Sequence, residues 1–364
     1  MSTAIGRPHP ADLKIVTPWD GDILNRHDGA ETPEGLSIEV TGQVAPGAKV
    51  TVNGTPAETD GCEFRCRVTL RQRQNEIAAL AKAAAGEWRD SITLLWDKGS
   101  QPRYRFSVDD NIEFLKDLGT APQQYDSLFD HWYLAFWRRM HEQFGAKVHI
   151  NIYYQTVARD FTIAGMPDKW RREWEANSDW LHLSFHALQN KPDRIYRDAA
   201  YEQIARDFEL VMAEIERFAG EAVTSEETTL HWGAIPKDSC RALADRGIRT
   251  LIGAGHPAWY ISDHVHTRDA WYEQDLDLKL VSIDAIVNNL QVGEVDAHLD
   301  QQASDPHTGE LMELLIHEQY FRKELVHFQP DVQQKVVKSL EWVTRRGYQP
   351  VFWSEGFLGN QTKV

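Results

Sequence analysis

The 364-residue sequence predicts a multidomain chain, an N-terminal all-β sandwich over residues 1–100 followed by an α/β barrel over 101–364. Three observations predict it. At about 150 residues per domain, the length suits two domains. Residues 13–97 read as short strands separated by turn chemistry, without a convincing helical stretch, which implies an antiparallel sandwich. After Gly99-Ser-Gln-Pro102, strands alternate with amphipathic helices to the end of the chain, the pattern of a parallel (β/α) barrel.

In the first part, Leu36-Ser-Ile-Glu-Val40 alternates apolar and polar residues, as a half-buried strand does. Val50-Thr-Val52 repeats the alternation and runs into Asn53-Gly54, a strong type I′ hairpin signal. Phe64, Cys66, Val68 and Leu70 put every second residue on one face, and Ile92, Leu94 and Trp96 do the same. The segment resembles the immunoglobulin-like accessory domains of bacterial carbohydrate enzymes. Thr17-Pro18, Ala45-Pro-Gly-Ala-Lys-Val-Thr-Val-Asn-Gly54, Phe64 and Asn75-Glu-Ile77 carry that resemblance.

The second part opens on the short strand Tyr104-Arg-Phe-Ser-Val108. Tyr125, Phe129, Trp132, Tyr133, Phe136 and Trp137 follow helical spacing and predict a core-facing aromatic stripe. The strand Lys147-Val-His-Ile-Asn-Ile-Tyr-Tyr154 comes next, then a strand at Trp180-Leu-His-Leu183. Ile204, Phe208, Val211, Met212, Ile215 and Phe218 mark an amphipathic helix over 201–218. Strands at 229–231, 250–252, 311–317 and 349–353 and helices at 237–246 and 331–346 complete the alternation.

Composition excludes several functions. With 39 Lys and Arg against 55 Asp and Glu, the net charge is -16, so a phosphate backbone would be repelled and no nucleic-acid partner is expected. Residues 1–100 contribute -3 of that charge and the remainder -13. Charged residues make up 26%, and no run approaches the roughly 18 apolar residues that a membrane span requires. Three cysteines, Cys62, Cys66 and Cys240, form no disulfide framework. Cys62 and Cys66 on one strand would stand about 13 Å apart. The first residues lack the apolar segment of a secretory signal, so a cytoplasmic location is expected, or a secreted or periplasmic one if a leader has been removed. The 13 Trp suit either a large core or a cleft that stacks sugar rings.

Chemistry concentrates at three places. Asp109-Asp110 follows the first barrel strand, where catalytic residues of such barrels sit. One carboxylate could bind a cation while the other stays free as a base; a helix N-cap is the plainer alternative. His182-Leu-Ser-Phe-His186 is the second place. On a continuous strand its imidazoles would be about 13 Å apart, too far to share an ion. At i and i+4 on a helical turn they would be neighbours, so a shared metal requires the chain to bend after Leu183. The third is Glu313-Leu-Leu-Ile-His317-Glu318, where an apolar strand ends in a histidine able to protonate a leaving group.

In that order and spacing, Asp-Asp, His-x-x-x-His and Leu-x-His resemble the polysaccharide deacetylase family, which shares the NodB homology domain. Gly347-Tyr-Gln-Pro-Val-Phe352 is also similar to the family's last strand. The resemblance implies a deformed (β/α) barrel and removal of acetyl groups from an amino sugar or other acetylated carbohydrate. It implies Asp109 as general base, His317 as general acid, and Asp110, His182 and His186 as ligands of a divalent metal. Zinc is the expected ion, with cobalt, nickel or manganese as alternatives.

The sequence departs from the family in places. Where the family carries an arginine that orients the base, Leu230-His-Trp-Gly-Ala-Ile-Pro236 places His231. Asp275, Asp277, Asp284 and Glu318 are candidates for the carboxylate that orients the acidic histidine. Asn111 stands where glycine is common. His231, Trp232, Trp259 and Trp271 are candidate substrate contacts, the tryptophans as a sugar platform. His264-Val-His266 could hold an ion on one strand face, or be a polar loop. Two alternatives follow: a carbohydrate-binding or scaffold protein with the deacetylase shape but no activity, and a metal-dependent hydrolase of another bond.

Overall fold

The computed structural model describes residues 13–84, 86–253 and 270–356. They divide into two compact units that meet in sequence between residues 100 and 101.

The first unit holds two five-stranded sheets. One orders Leu13–Thr17, Gly35–Val44, Glu63–Leu70 and Glu58–Asp60, with Ala30–Thr32 also on Gly35–Val44. The other orders Ile23–Leu24, Gly86–Trp96, Gln74–Ala83, Lys49–Val52 and Thr55–Pro56. Every pairing is antiparallel except that of Ile23–Leu24 with Gly86–Trp96. Alternation puts Phe64, Cys66, Val68 and Leu70 inside, where they share one apolar cluster with Val50, Val52, Ile77 and Ala79 of the other sheet. Asn53 and Gly54 take φ of +47° and +79° between the paired Val52 and Thr55, the two-residue turn their types favour. All three cysteines are free, Cys62 exposed and the other two buried.

The second unit is built on a parallel sheet in the order Leu181–Ala187, Val148–Tyr153, Arg103–Asn111, Leu311–His317, Ala285–Ile286. Gln349–Pro350 also pairs with Arg103–Asn111. A second sheet orders Glu227–Thr229, Thr250–Gly253, Leu278–Ser282 and Ala270–Glu273, the last strand antiparallel. The strand and helix alternation is present, and the isolated bridge Leu183–Thr224 ties the first sheet to the segment that leads into Glu227–Thr229 of the second. No closed ring of strands forms among the described residues. The expected 349–353 strand is also shorter, because Trp353–Gly356 turns into a helix.

Helices pack on this frame by their apolar faces. Tyr133, Phe136 and Trp137 of the Trp132–Phe144 helix are buried as the aromatic stripe predicts. Trp132 is 42% exposed and faces the Arg322 guanidinium instead. The Tyr201–Ala219 helix buries all six apolar positions read from its periodicity. No described helix is long and apolar enough to cross a membrane.

The sheet interior is polar in layers. Residues 105, 107 and 109 share one face of their strand, and the register sets Arg105 beside Glu313, Asp109 beside His317, and His149 beside His182. Arg105 is wholly buried, with Nη1 2.5 Å from the Glu313 carboxylate and Nε 3.6 Å from Glu227. Ser107 and Trp353 also donate to Glu313, at 2.9 and 2.8 Å. Burial pushes the Glu313 carboxyl up to about 7, although Arg105 opposes it. Glu313→Gln is expected to cost up to about 3–5 kcal/mol, because it leaves the buried guanidinium with Glu227, at 3.6 Å, as its remaining carboxylate. Urea unfolding monitored by tryptophan fluorescence measures that loss.

Candidate metal centre

Parallel strands bring their C-terminal ends to one side of the sheet, and Asp109, Asp110, Tyr153, His186 and His317 all lie at such ends. The two aspartates separate by a backbone device. Asp110 takes φ of +62° at a register shift between Val108 and Asn111. Its carboxylate therefore leaves the path of the strand, while Asp109 stays on the interior face beneath it. Neither is a helix cap. The Glu113–Thr120 helix is capped by Glu318, whose carboxylate accepts the N–H groups of Ile112, Glu113 and Phe114 at 2.8, 2.9 and 2.7 Å. Glu318 is thus committed away from His317.

Asp110, His186 and His231 form a cluster whose ligand atoms lie within 4.8 Å of one another. Asp110 Oδ1 is 3.2 Å from His186 Nε2 and 3.4 Å from His231 Nδ1. Each imidazole has its other nitrogen on a carbonyl: His186 Nδ1 donates to Thr229 O at 2.5 Å, and His231 Nε2 to Asn190 O at 3.1 Å. Carbonyls only accept, so these contacts fix both tautomers and turn two lone pairs inward beside a carboxylate. Such a convergence of acceptors, into which the Tyr153 hydroxyl donates, favours a positive charge at its centre. Burial lowers the pKa of His186 despite Asp110, which disfavours a proton in that role. The donor set fits a divalent metal: two imidazoles and one carboxylate with positions left open, and outward N–H groups held by carbonyls.

The electrostatics divide the two carboxylates. Burial would raise Asp110, but His186, His231 and His317 outweigh it and hold the carboxyl well below the usual range. Asp109 goes the other way: burial and then the charge of Asp110 raise it well above that range, against the Asn151 hydrogen bond. Asn151 Nδ2 donates to Asp109 at 2.8 Å, and its Oδ1 accepts the Thr229 N–H at 3.3 Å. An amide therefore orients the base where an arginine was expected. Tyr153 donates to Asp110 and lies 2.8 Å from His231 Nδ1, and Gln319 donates to the other Asp110 oxygen at 3.1 Å.

His182 is not part of the cluster. The Leu181–Ala187 strand is continuous, with its register shift at His186 rather than after Leu183, so His182 stands at its opposite end from His186. Its ring stacks on Phe352 at 3.7 Å and 6°, next to His149, and burial lowers its pKa to about 3. His231 occupies the position that the resemblance assigned to His182. It reaches the centre from the short turn after the Glu227–Thr229 strand.

His317 has Nδ1 2.8 Å from Asn288 Oδ1, an amide where an orienting carboxylate was expected. Burial lowers its pKa, with Asp110 opposing. The candidates for an orienting acid are engaged elsewhere: Asp275 with Lys237, Asp277 with Tyr272, and Asp284 with the Glu313 N–H at 2.6 Å. A cavity of about 460 Å³ joins Asp109, Asp110, His186, His231, Trp232 and His317. Trp232 is 51% exposed, with φ of +61° and the Arg194 guanidinium 5.4 Å from its ring. A positive φ at an aromatic residue is a backbone strain that clusters at functional sites. Trp271, by contrast, is buried in the core and offers no platform. Trp259, His264 and His266 lie outside the described residues.

No family model matches the chain, and no curated protein does either. Among solved structures, it is similar to a protein described as a polysaccharide deacetylase from Mycobacterium smegmatis, at 11% identity and a TM-score of 0.42, over 69% of this chain and 85% of that one. It is also similar to a protein described as a polysaccharide deacetylase of O-antigen biosynthesis from Bordetella bronchiseptica, at 13% and 0.35, over 66% and 91%. A 4-alpha-glucanotransferase from Thermococcus litoralis matches at 10% and 0.46, over 70% and 40%. At this distance the likenesses say nothing about chemistry, which rests on the side chains.

Proposed function

We propose that the chain is a metal-dependent hydrolase that removes acetyl groups from a carbohydrate. The observation that carries this reading is the cluster of Asp110, His186 and His231, with both imidazole tautomers fixed for ligation, opening into a pocket that also holds Asp109 and His317. A divalent ion held there supplies Lewis acidity toward a carbonyl and acidifies water. Asp109, kept in place by Asn151, takes the proton of the attacking water. His317, with Nδ1 held by Asn288, presents Nε2 to give a proton to the departing amine or alcohol. Gln319 holds the free oxygen of Asp110 and so steadies the ligand. The first unit, two sheets around one core, is read as an immunoglobulin-like accessory domain, and the second as a deformed (β/α) barrel of the deacetylase kind.

Acetate release from acetylated glycans, measured with zinc, with cobalt and with chelator, tests this function. Absence of release under every metal rejects it, and tight glycan binding without turnover would favour the inactive alternative. Trp232→Ala is expected to raise KM about threefold to tenfold and leave kcat nearly unchanged, since a stacking contact is worth about 0.5–1.5 kcal/mol. Initial rates over a substrate series separate the two constants.

A further inference from the structure

A second cavity adjoins the metal cluster. It opens past Asp110 with a volume of about 350 Å³ and shares Asp110, Asn190, Gln319 and His327 with the first. Asp109, His317 and Trp232 line the first lobe and not the second. Several polar groups of the second lobe are already engaged: Lys116 with Asp160 at 2.7 Å, Thr156 with the same carboxylate at 2.7 Å, and Glu318 with three backbone N–H groups. Glu113, Gln155 and His327 also line it, and Ile112, Val157, Ala158, Leu325 and Val326 supply an apolar wall. Val326 and Val157, 92% and 53% exposed, stand on its wall and are the two most exposed large apolar side chains among the described residues. The third is Trp232, in the first lobe. The three most exposed of these side chains thus line the two lobes, where a ligand would cover them.

We infer that the second lobe holds the acyl side of the cleaved bond, and that the preferred substrate carries an acyl chain longer than acetyl on its sugar. The inference rests on the hydrolase reading above. In the hydrolysis, the oxygen of water bonds to the carbonyl carbon and the carbon–nitrogen or carbon–oxygen bond breaks. The water proton goes to Asp109, and the departing atom receives a proton from His317. The products are a carboxylic acid and a free amine or alcohol. The departing sugar must lie on the side of His317, in the first lobe. The other substituent of the carbonyl carbon then points past Asp110 into the second lobe, where no proton donor is needed and apolar wall is offered.

The test compares N-acetyl-, N-butyryl- and N-hexanoylglucosamine, and N-acetylglucosamine oligomers of one to four sugars, on the zinc-loaded full chain. The expected result is a kcat/KM that rises with acyl length, by up to about fourfold for each methylene buried. Val326→Asp and Val157→Asp are expected to collapse the hexanoyl-to-acetyl ratio, a readout that does not depend on how much of each variant is folded. Preference for acetyl over the longer chains overturns the inference. So does a gain that follows the number of sugars and is lost in Val326→Asp, because the lobe then holds a neighbouring sugar. Titration calorimetry of N-hexanoyl- against N-acetylglucosamine on the chelator-treated chain separates the two claims. Tighter hexanoyl binding without turnover of any substrate sinks the hydrolase reading alone, and equal affinities sink the acyl lobe.

Discussion

His231→Ala is expected to abolish stoichiometric zinc binding and to lower kcat/KM by more than about 100-fold, while His182→Ala keeps the metal. Losing an outer partner of a metal site costs about 10- to 100-fold, and losing a ligand itself must exceed that. His231 Nδ1 is 3.4 Å from Asp110 and 3.3 Å from His186 Nε2, so its removal leaves one imidazole and one carboxylate. His182 is at the other end of its strand, stacked on Phe352. Its loss opens a hole in the core and lowers the melting temperature, but leaves the cluster intact. Metal content by elemental analysis, measured beside kcat/KM, distinguishes the two variants. Metal loss in His182→Ala with retention in His231→Ala would refute the assignment of the centre.

The second large effect concerns the proton-transfer pair. His317→Ala and Asp109→Asn are each expected to lower kcat by about 10²–10⁴-fold, the usual contribution of one positioned acid or base. The pH profile gives the sign. Asp109 must be ionised to act, and burial lifts its carboxyl above the usual range, so the rate rises with pH through a displaced acid limb. His317 must be protonated to act, and burial lowers its pKa, so the rate falls again at lower pH than an exposed histidine would give. The two limbs approach each other and the bell is narrow. Asn288→Asp places a carboxylate beside His317 Nδ1, favours the imidazolium and should move the alkaline limb upward. An alkaline limb that stays in place in Asn288→Asp would show that His317 is not the acid. Profiles of kcat/KM between pH 5 and 9 at saturating zinc read all three variants.

Much of the first unit was legible because its signals are local. The alternation in Glu63–Leu70 and the Asn53-Gly54 turn depend on side-chain period and backbone preference within a few residues, and both are found as expected. The Tyr201–Ala219 helix was legible for the same reason. Trp132 was not, because helical spacing gives a face but not the width of the neighbour that covers it. Within the site, one signal was present in the sequence and unread. His149, Asn151 and Tyr153 alternate with Ile150 and Ile152, so one face of that strand is polar and must point at something polar. Asn151 and Tyr153 turn out to hold Asp109 and Asp110. Asn288 and Gln319 had no such pattern, since each acts from a short turn beside a strand end.

By itself the sequence determined where the chain changes in character, many of its strands and helices, and that Asp109, Asp110 and His317 end their strands. Those are consequences of period and composition, which act along the chain. Only the tertiary structure decided which histidines meet. The Leu181–Ala187 strand rises about 3.3 Å per residue and carries His182 and His186 to opposite ends. A parallel neighbour sheet then delivers His231 across 45 residues of sequence to 3.3 Å from His186. Spacing along a chain cannot show that contact, because the distance is set by strand order and register, not by separation in sequence.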